Sequence, residues 1–309
     1  MLILGIESAT PVASVALVDE TGLLGEVTLN VGLTHSEQLL PMIDNLLTQC
    51  RRDISHITAI GASAGPGSFT GLRIGMATAK AIAQGLSWRG DKQSKAGAGD
   101  GKDIMPVLAI PTLEGMAWAL AGQPVWISPM LNARRGQIYT ALYQWQTKAG
   151  NRDTANEAEG METAGEEALG EIYASRQRAK KDRLPADIGN LELMPICHIE
   201  AQAVSPGQWA ERIAAYLEAC PVEIKGDGQP VICLLGDGAE IYKEAWESAP
   251  GFTARILPPF TGLCRGSGIA FAAIGRMRAE GRAGGSPFLQ LPQDEQAFYA
   301  MKPIYLRGV

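Results

Sequence analysis

Between Ser63 and Lys80 the chain reads SAGPGSFTGLRIGMATAK, and here the residue types that handle anions come closest together. Gly65, Gly67 and Gly71 permit backbone angles and close approaches that a Cβ forbids, while Pro66 fixes its own φ. Ser68 and Thr70 are hydroxyl caps for a helix expected to begin near Gly71, whose first amides then point back into the turn. The apolar run Ile57 to Ala62 precedes them, so a buried strand passes through a glycine-rich turn into a helix. Such a turn can hold an anion or brace another chain. The Walker phosphate pattern, however, requires a lysine directly after its last glycine, and Leu72 and Arg73 stand there instead. A phosphate cradle and a tight strand-to-helix connection are both compatible with these residues.

Other groups able to do chemistry are sparse. Glu7 ends the first apolar run and reads as a strand-end carboxylate in water. Gly236-Asp237-Gly238 can touch a phosphate but has no lysine or threonine beside it, so it reads as a structural turn. His35, His56 and His198 are too far apart for a local metal motif, and no Ser-His-Asp or Cys-His arrangement emerges from local spacing. The five cysteines are scattered, odd in number and never paired as Cys-x-x-Cys, as expected of reduced thiols in the cytoplasm.

The elements that must position the glycine-rich turn can be read from periodicity. Leu2 to Ile6, Val12 to Asp19 and Leu23 to Val31 form an antiparallel meander, reversed at Ser8 to Pro11 and at Thr21-Gly22. Ser36 to Arg52 is an amphipathic helix, capped by Thr34 or Ser36, with Leu39, Leu40, Ile43, Leu46, Leu47 and Cys50 as a wide apolar stripe and Met42 beyond it. In the helix after the turn, Gly75, Ala79 and Ala83 recur every four residues, with Ala77 and Ala81 on a neighbouring stripe. Small faces admit a second helix closely, from the same domain or from another subunit. A strand at Met105 to Ile110 leads to a helix at Leu113 to Leu120. Then come strands at Val125 to Ser128 and Gln137 to Gln144 around a turn at Asn132 to Gly136. A helix at Ser205 to Cys220, a strand at Val231 to Leu235, a helix from Gly236 through Trp246 and another at Gly268 to Glu280 follow. Gly281 to Pro292 is a turn-rich connection, and Pro303 to Arg307 closes the chain. Gly90 to Asp103 and the charged stretch Thr147 to Arg183 read as inserts without apolar periodicity. A meander followed by helices thus occurs twice.

With 309 residues, 46% of them hydrophobic and 19% charged, the chain can build two domains with a buried core. A formal net charge of −6 leaves no broad basic surface for autonomous nucleic-acid binding. Gly115 to Ala133, the longest uncharged stretch, is broken by two prolines and does not read as a membrane span. Met1 to Ile6 is too short for a secretory signal, so a cytoplasmic location without membrane attachment is expected.

Four stretches carry a family resemblance: ILGIESATPVASVAL at Ile3 to Leu17, THSEQLLPMIDNLL at Thr34 to Leu47, GPGSFTGLRIGMATAKAIA at Gly65 to Ala83, and NARRGQIYTALY at Asn132 to Tyr143. On them, with the late GDGAEIY and PIYLR segments, the chain resembles the TsaB (YeaZ) family, related to TsaD and the glycoprotease-like branch of the actin-type ATPase superfamily. The resemblance implies an α/β, two-lobed actin-like (ribonuclease-H-like) fold with a mixed sheet and flanking helices in each lobe. An N-terminal lobe at 1–103 is expected to carry the dimerisation helices, and a C-terminal lobe at 104–309 the insert near 147–183. In such folds an acid placed like Glu7, followed by Ser or Thr in a hairpin, approaches phosphate or metal.

The resemblance further implies a non-catalytic scaffold acting with a TsaD-like subunit and a TsaE-like ATPase in making threonylcarbamoyladenosine, the modified adenosine 3′ of the anticodon in tRNAs reading codons that start with A. On that reading tRNA is met only through the complex, and the same helices form a homodimer when the partner is missing. Leu39, Met42, Ile43, Leu46, Gly75, Met76, Ala79 and Ala83 are the expected interface residues. Pro66, Gly67, Ser68, Phe69, Thr70, Gly71 and Arg73 are expected at the junction with partners or nucleotide. No catalytic or metal-binding residue and no tightly bound cofactor are expected, with ATP or ADP confined to the complex interface. TsaD-like proteins hold metal with two histidines four apart on the first helix, whereas here His35 is followed by Leu39, which leaves His35 a hydrogen-bonding helix-entry residue. Asn132 departs from the aspartate usual before Ala-Arg, and Glu7 stands where aspartate is common. The alternative reading is an actin-like kinase, needing phosphate turns in both lobes, or a metal-dependent peptidase.

Overall fold

The computed structural model describes residues 1–32, 35–93, 105–145, 194–219, 229–247 and 249–282. Thr34 as a cap, the stretch expected to be looped beyond Gln93, the charged insert, Cys220 and the closing Pro303 to Arg307 lie outside them.

β1 (Leu2–Glu7), β2 (Ala13–Asp19) and β3 (Gly22–Leu29) form the meander, with Ile6 opposite Val15 and Ala16 opposite Glu26. At its second turn Asp19 Oδ1 accepts from Thr21 N at 2.8 Å. Helix α1 (His35–Gln49) then leads to β4 (Ala59–Gly65), and α2 (Phe69–Gln93) to β5 (Val107–Pro111). Both strands run parallel to β1, as helical crossovers require, giving the order β3-β2-β1-β4-β5. α3 (Thr112–Ala117) leads into β6 (Trp126–Arg134), β7 (Gln137–Gln144) and β8 (Ile196–Val204), a second antiparallel meander. α4 (Pro206–Ala219) precedes β9 (Val231–Leu235), and α5 (Asp237–Ile241) and α6 (Lys243–Glu247) precede β10 (Thr253–Ile256). Read from its meander, this sheet runs β8-β7-β6-β9-β10, with the same alternation of antiparallel and parallel neighbours. The two lobes therefore repeat one topology, the two-lobed actin-like, ribonuclease-H-like α/β architecture.

The period-two alternation of β1 shows how the first sheet is covered on both faces. Leu2, Leu4 and Ile6 pack with Leu39, Ile43 and Leu46 of α1 and Met76 and Ala79 of α2. Ile3, on the opposite face, joins Ile269, Ala270 and Ala273 of α7 (Gly266–Arg282), which returns from the end of the second lobe to lie under β1, β2 and β4. Gly5 permits that seat, since a Cβ there would stand 2.1 Å from the Gly266 carbonyl oxygen.

Several expectations change. β5 pairs with β4, so the first sheet extends to Pro111, past the boundary expected at Asp103. Residues up to Gln93 continue α2 rather than opening a loop at Gly90. β8 and β10, the two edges of the second sheet, were not foreseen. An edge strand needs only one partner, and neither sequence alternates cleanly. The helix expected from Gly236 through Trp246 divides at Tyr242.

The residues expected at an interface are packed inside the chain. Leu39, Met42, Ile43, Leu46, Met76, Ala79 and Ala83 are each at most 4% exposed, and Gly75 is buried, all against their own chain. The apolar stripe of α1 and the small-residue face of α2 are spent on the first sheet and on each other. What α1 and α2 present outward is Glu37, Leu40, Pro41 and Asp44, with Arg73, Ala77 and Ala81.

One part-buried ion pair ties α7 to α3. Arg276 Nε lies 3.1 Å from Glu114 Oε1, and Nη2 reaches Oε2. Glu114 is 7% exposed but the Arg276 side chain is 36% exposed, so Arg276→Ala lets water reach the carboxylate and is expected to lower stability by about 1 kcal/mol in urea denaturation. Adding Glu114→Gln should restore roughly half of that, and a double variant no better than the single would show that the pair is not the source. Among the described residues no helix is long and apolar enough to cross a membrane, and Cys50, Cys197, Cys233 and Cys264 are free thiols.

Candidate functional site

β4 delivers the chain into the glycine-rich turn at Gly65, whose φ of +116° lies where a side chain would be strained. Ser68 Oγ accepts from Gly71 N at 3.2 Å, so Ser68 is the cap and α2 begins at Phe69 rather than near Gly71. Thr70 sits inside the first turn instead of capping it. Gly71 and Gly75 lie on Ser8, where added Cβ atoms would come within 2.0 Å of its carbonyl oxygen and 2.1 Å of its Oγ. That Oγ donates to the Gly71 carbonyl at 2.9 Å. Small residues thus bring α2 directly onto the turn between β1 and β2.

A cleft of about 450 Å³ opens between the lobes at this point. Ala9, Thr10 and Pro11 line it with Gly67, Ser68, Phe69 and Thr70 from the first lobe. Leu131 to Arg134, Tyr139 and Asp237 line it from the second. Four connections meet here, two from equivalent positions in each repeated sheet. The structure therefore brings the glycine-rich turn to the Asn132 hairpin and the Gly236 turn, which sequence spacing could not do. It leaves Arg73 out of the cleft lining, with its guanidinium 3.7 Å over the Phe69 ring one helical turn away.

Several backbone amides around the cleft are committed within the chain. Ser68 N donates to Ala9 O at 2.6 Å, Gly71 N to Ser68 Oγ, and Leu72 N to Ser68 O at 2.9 Å. On the opposite wall Asn132 N donates to Asp237 Oδ1 at 3.0 Å, and Asn132 Oδ1 accepts from Arg134 N at 2.9 Å. Asn132 thereby fills an acceptor role open equally to an aspartate. The hairpin it supports turns through Arg134, Arg135 and Gly136, all at positive φ. His35, the first residue of α1, approaches Thr10 O with Nε2 at 2.8 Å, the helix-entry bond expected of it.

Glu7 is not in water. It is fully buried where β1 ends, covered by the segment that introduces α7 from the second lobe. Its Oε1 accepts from Ala9 N at 2.6 Å, and its Oε2 has no hydrogen-bond partner. Burial pushes its carboxyl up to about 7, against the opposing pull of Cys264, Ala9 and Ser63. The same burial, with Glu7 beside it, holds the Cys264 thiol well above the ordinary range. Neither residue could be singled out from local sequence, because the cover comes from more than 250 positions away. Among the described residues no group of three or more His, Cys, Asp or Glu could hold a metal ion.

A family model described as TsaD, tRNA N6-adenosine threonylcarbamoyltransferase, matches residues 24–88, from β3 through most of α2. Over 146 residues the chain is 32% identical to the tRNA threonylcarbamoyladenosine biosynthesis protein TsaB of Bacillus subtilis (strain 168), covering 47% of this chain and 56% of that one. Over 150 residues it is 32% identical to the protein of the same name from Escherichia coli (strain K12), covering 47% and 55%. Over about half of its length the chain is similar to proteins of the TsaB (YeaZ) family. It spans about half the length of the curated relatives it matches. The likeness of fold reaches further. A solved structure from Pseudomonas aeruginosa, of an uncharacterized protein with similarity to peptidase YEAZ, covers 99% of both chains with a TM-score of 0.59 at 19% identity. The glycine-rich turn, whose Ser68 N donates to Ala9 O, falls inside the stretch that the TsaD family model matches.

Proposed function

We propose that this chain is a non-catalytic scaffold that acts with a TsaD-type subunit and a TsaE-type ATPase in transferring the threonylcarbamoyl group to the adenosine 3′ of the anticodon. One observation carries the reading: the amides of Ser68, Gly71 and Asn132, at the cleft where a nucleotide would sit, are bonded to Ala9 O, Ser68 Oγ and Asp237 Oδ1 of the same chain. An anion entering the cleft must break those bonds before gaining its own. His35 without a second histidine at Leu39 supports the same conclusion.

In this reading the partner docks on the outward face of α1 and α2, where Leu40 is 57% exposed beside Pro41, Ala77 and Ala81. Two copies use that face when the partner is missing. ATP or ADP enters at the interface between subunits, and Arg73 is the group we assign to its phosphate. The net charge of −6 favours tRNA contact through the complex rather than through this chain alone.

Co-purification with a TsaD-type subunit, followed by a modification assay with and without this chain, tests the proposal. Modification is expected only when both are present, and turnover by this chain alone overturns the reading. Leu40→Asp combined with Ala77→Arg is expected to weaken co-purification about tenfold or more while moving Tm by no more than about 2 °C. Arg73→Ala should co-purify normally yet lower nucleotide-dependent modification. Wild-type co-purification of the double variant would put the docking face elsewhere.

A further inference from the structure

At the tip of the β6–β7 hairpin two arginines hold a backbone conformation that ordinary side chains avoid. Arg134 pairs with Gln137 in register, so the turn itself is Arg135-Gly136, and φ is +61° at Arg134, +54° at Arg135 and +72° at Gly136. A two-residue turn with both φ values positive ordinarily takes Asn, Asp or Gly at its first position, because these tolerate the left-handed region at little cost. Arginine does not. Arg51, the other non-glycine residue at positive φ among those described, has a local reason for it: it closes α1, with Arg51 N donating to Thr48 O at 3.1 Å and Arg52 N to Leu47 O at 3.0 Å. The hairpin tip ends no helix. It is held in place by the bulge between Asn132 and Arg134 and by the bonds from Asn132 N to Asp237 Oδ1 and from Arg134 N to Asn132 Oδ1. Both arginines are exposed, and Arg134 belongs to the cleft lining whereas Arg135 does not, so the pair straddles the cleft mouth. From the first lobe Phe69 lines the same cleft at 39% exposure, with the Arg73 guanidinium 3.7 Å from its ring centroid. Asp237 is the acid of that lining, and its Oδ1 is taken by Asn132 N.

We propose that the cleft mouth is a contact for single-stranded RNA, in which Arg134 and Arg135 hold successive backbone phosphates and an unstacked base lies on Phe69. A guanidinium meets phosphate oxygens through paired, charge-assisted hydrogen bonds, and an aromatic ring accepts any base by stacking. A small phosphate ester inside the cleft would meet Arg134 alone. A chain of phosphates crossing the mouth meets both arginines, which is why the ligand is a polyanion. Non-glycine residues kept at positive φ concentrate where a fixed side-chain position serves binding, and here the braced tip holds two guanidiniums side by side. The net charge of −6 keeps this contact weak in the isolated chain. That the strand is RNA rather than DNA rests on the function proposed above, whereas the site itself rests on the arginine tip and the Phe69 ring.

The test uses the full chain at about 50 mM salt with a fluorescein-labelled single-stranded RNA of about 12 nucleotides, read by anisotropy. The wild type is expected to bind with a Kd of about 10–100 µM. Arg134→Asn combined with Arg135→Asn puts a residue suited to positive φ at both positions. It is expected to bind about tenfold more weakly, to lower the slope of log affinity against log salt by about 1.4, and to leave Tm unchanged or raised. Phe69→Leu is expected to bind about fivefold more weakly with the salt slope unchanged, which separates stacking from charge. RNA binding by the arginine variant equal to that of the wild type overturns the proposal, and so does a wild type that binds no RNA. Displacement of the RNA by AMP at equal phosphate concentration assigns the tip to a small phosphate ester and overturns the polyanion. If the arginine variant fails to fold, Phe69→Leu and the AMP competition decide by themselves. None of these outcomes alters co-purification with a TsaD-type subunit, so this inference and the proposed function fail separately.

Discussion

Gly5→Ala is expected to destabilise the protein by about 4 kcal/mol or more, enough to lower Tm by roughly 10 °C or to leave it insoluble. The new Cβ would lie 2.1 Å from the Gly266 carbonyl oxygen and 2.9 Å from both Ala270 N and its Cβ. Two of these three neighbours are backbone atoms at the start of α7, so no rotamer change relieves the clash. The helix must rise from β1, and with it go the packing of Ile269, Ala270 and Ala273 on the first sheet. Gly85→Ala is the companion measurement. Gly85 lies in α2 with nothing within 4 Å of an added Cβ, so alanine there should stabilise by about 0.5–1 kcal/mol through helix propensity. Urea denaturation of the two variants beside the wild type reads both effects. A Gly5→Ala protein within about 1 kcal/mol of the wild type would mean that α7 does not sit on β1 as described.

Glu7→Gln is expected to reverse the sign of what removing a charged residue ordinarily does. The folded protein holds the Glu7 proton up to about 7, whereas the unfolded chain releases it near 4.5. Between those values the native state binds more protons than the unfolded one, so stability falls as pH rises. The contribution of the neutral acid is complete below 4.5 and is lost as pH passes through about 7. A displacement of this size corresponds to about 3 kcal/mol. Glutamine keeps the acceptor for Ala9 N and cannot ionise. The variant should therefore match the wild type near about pH 4.5 and exceed it by roughly 2–3 kcal/mol near about pH 8. Denaturation series at both pH values check this, and a difference between the two proteins that does not change with pH would sink it.

Much of the candidate site was legible in order along the chain and illegible in space. The strand, glycine turn and helix from Ile57 to Lys80 could be read from residue types alone, because steric freedom, capping and apolar runs act over a few neighbouring residues. Ser68 as cap and His35 at the helix entry were readable for the same reason. The choice between anion cradle and structural connection was not, since it turns on Ser68 N finding Ala9 O nearly sixty residues earlier. Nor could sequence say which face of α1 and α2 stays outside. An apolar stripe announces that something covers it, and the same pattern serves a sheet or a second subunit.

By itself, then, the sequence determined the repeated meander, the glycine-rich turn, the amphipathic helices and the resemblance to the TsaB (YeaZ) family, all of them written in local periodicity and short motifs. Only the tertiary structure decided that Leu39, Met42, Ile43, Leu46, Gly75, Met76, Ala79 and Ala83 are packed within the chain, that β5 belongs to the first sheet, and that Glu7 is a buried acid. The reason is physical: conformation is set largely by adjacent residues, whereas burial and the energy of a charge depend on whatever folds over them. For Glu7 that cover arrives with Cys264 and α7, from the far end of the described chain.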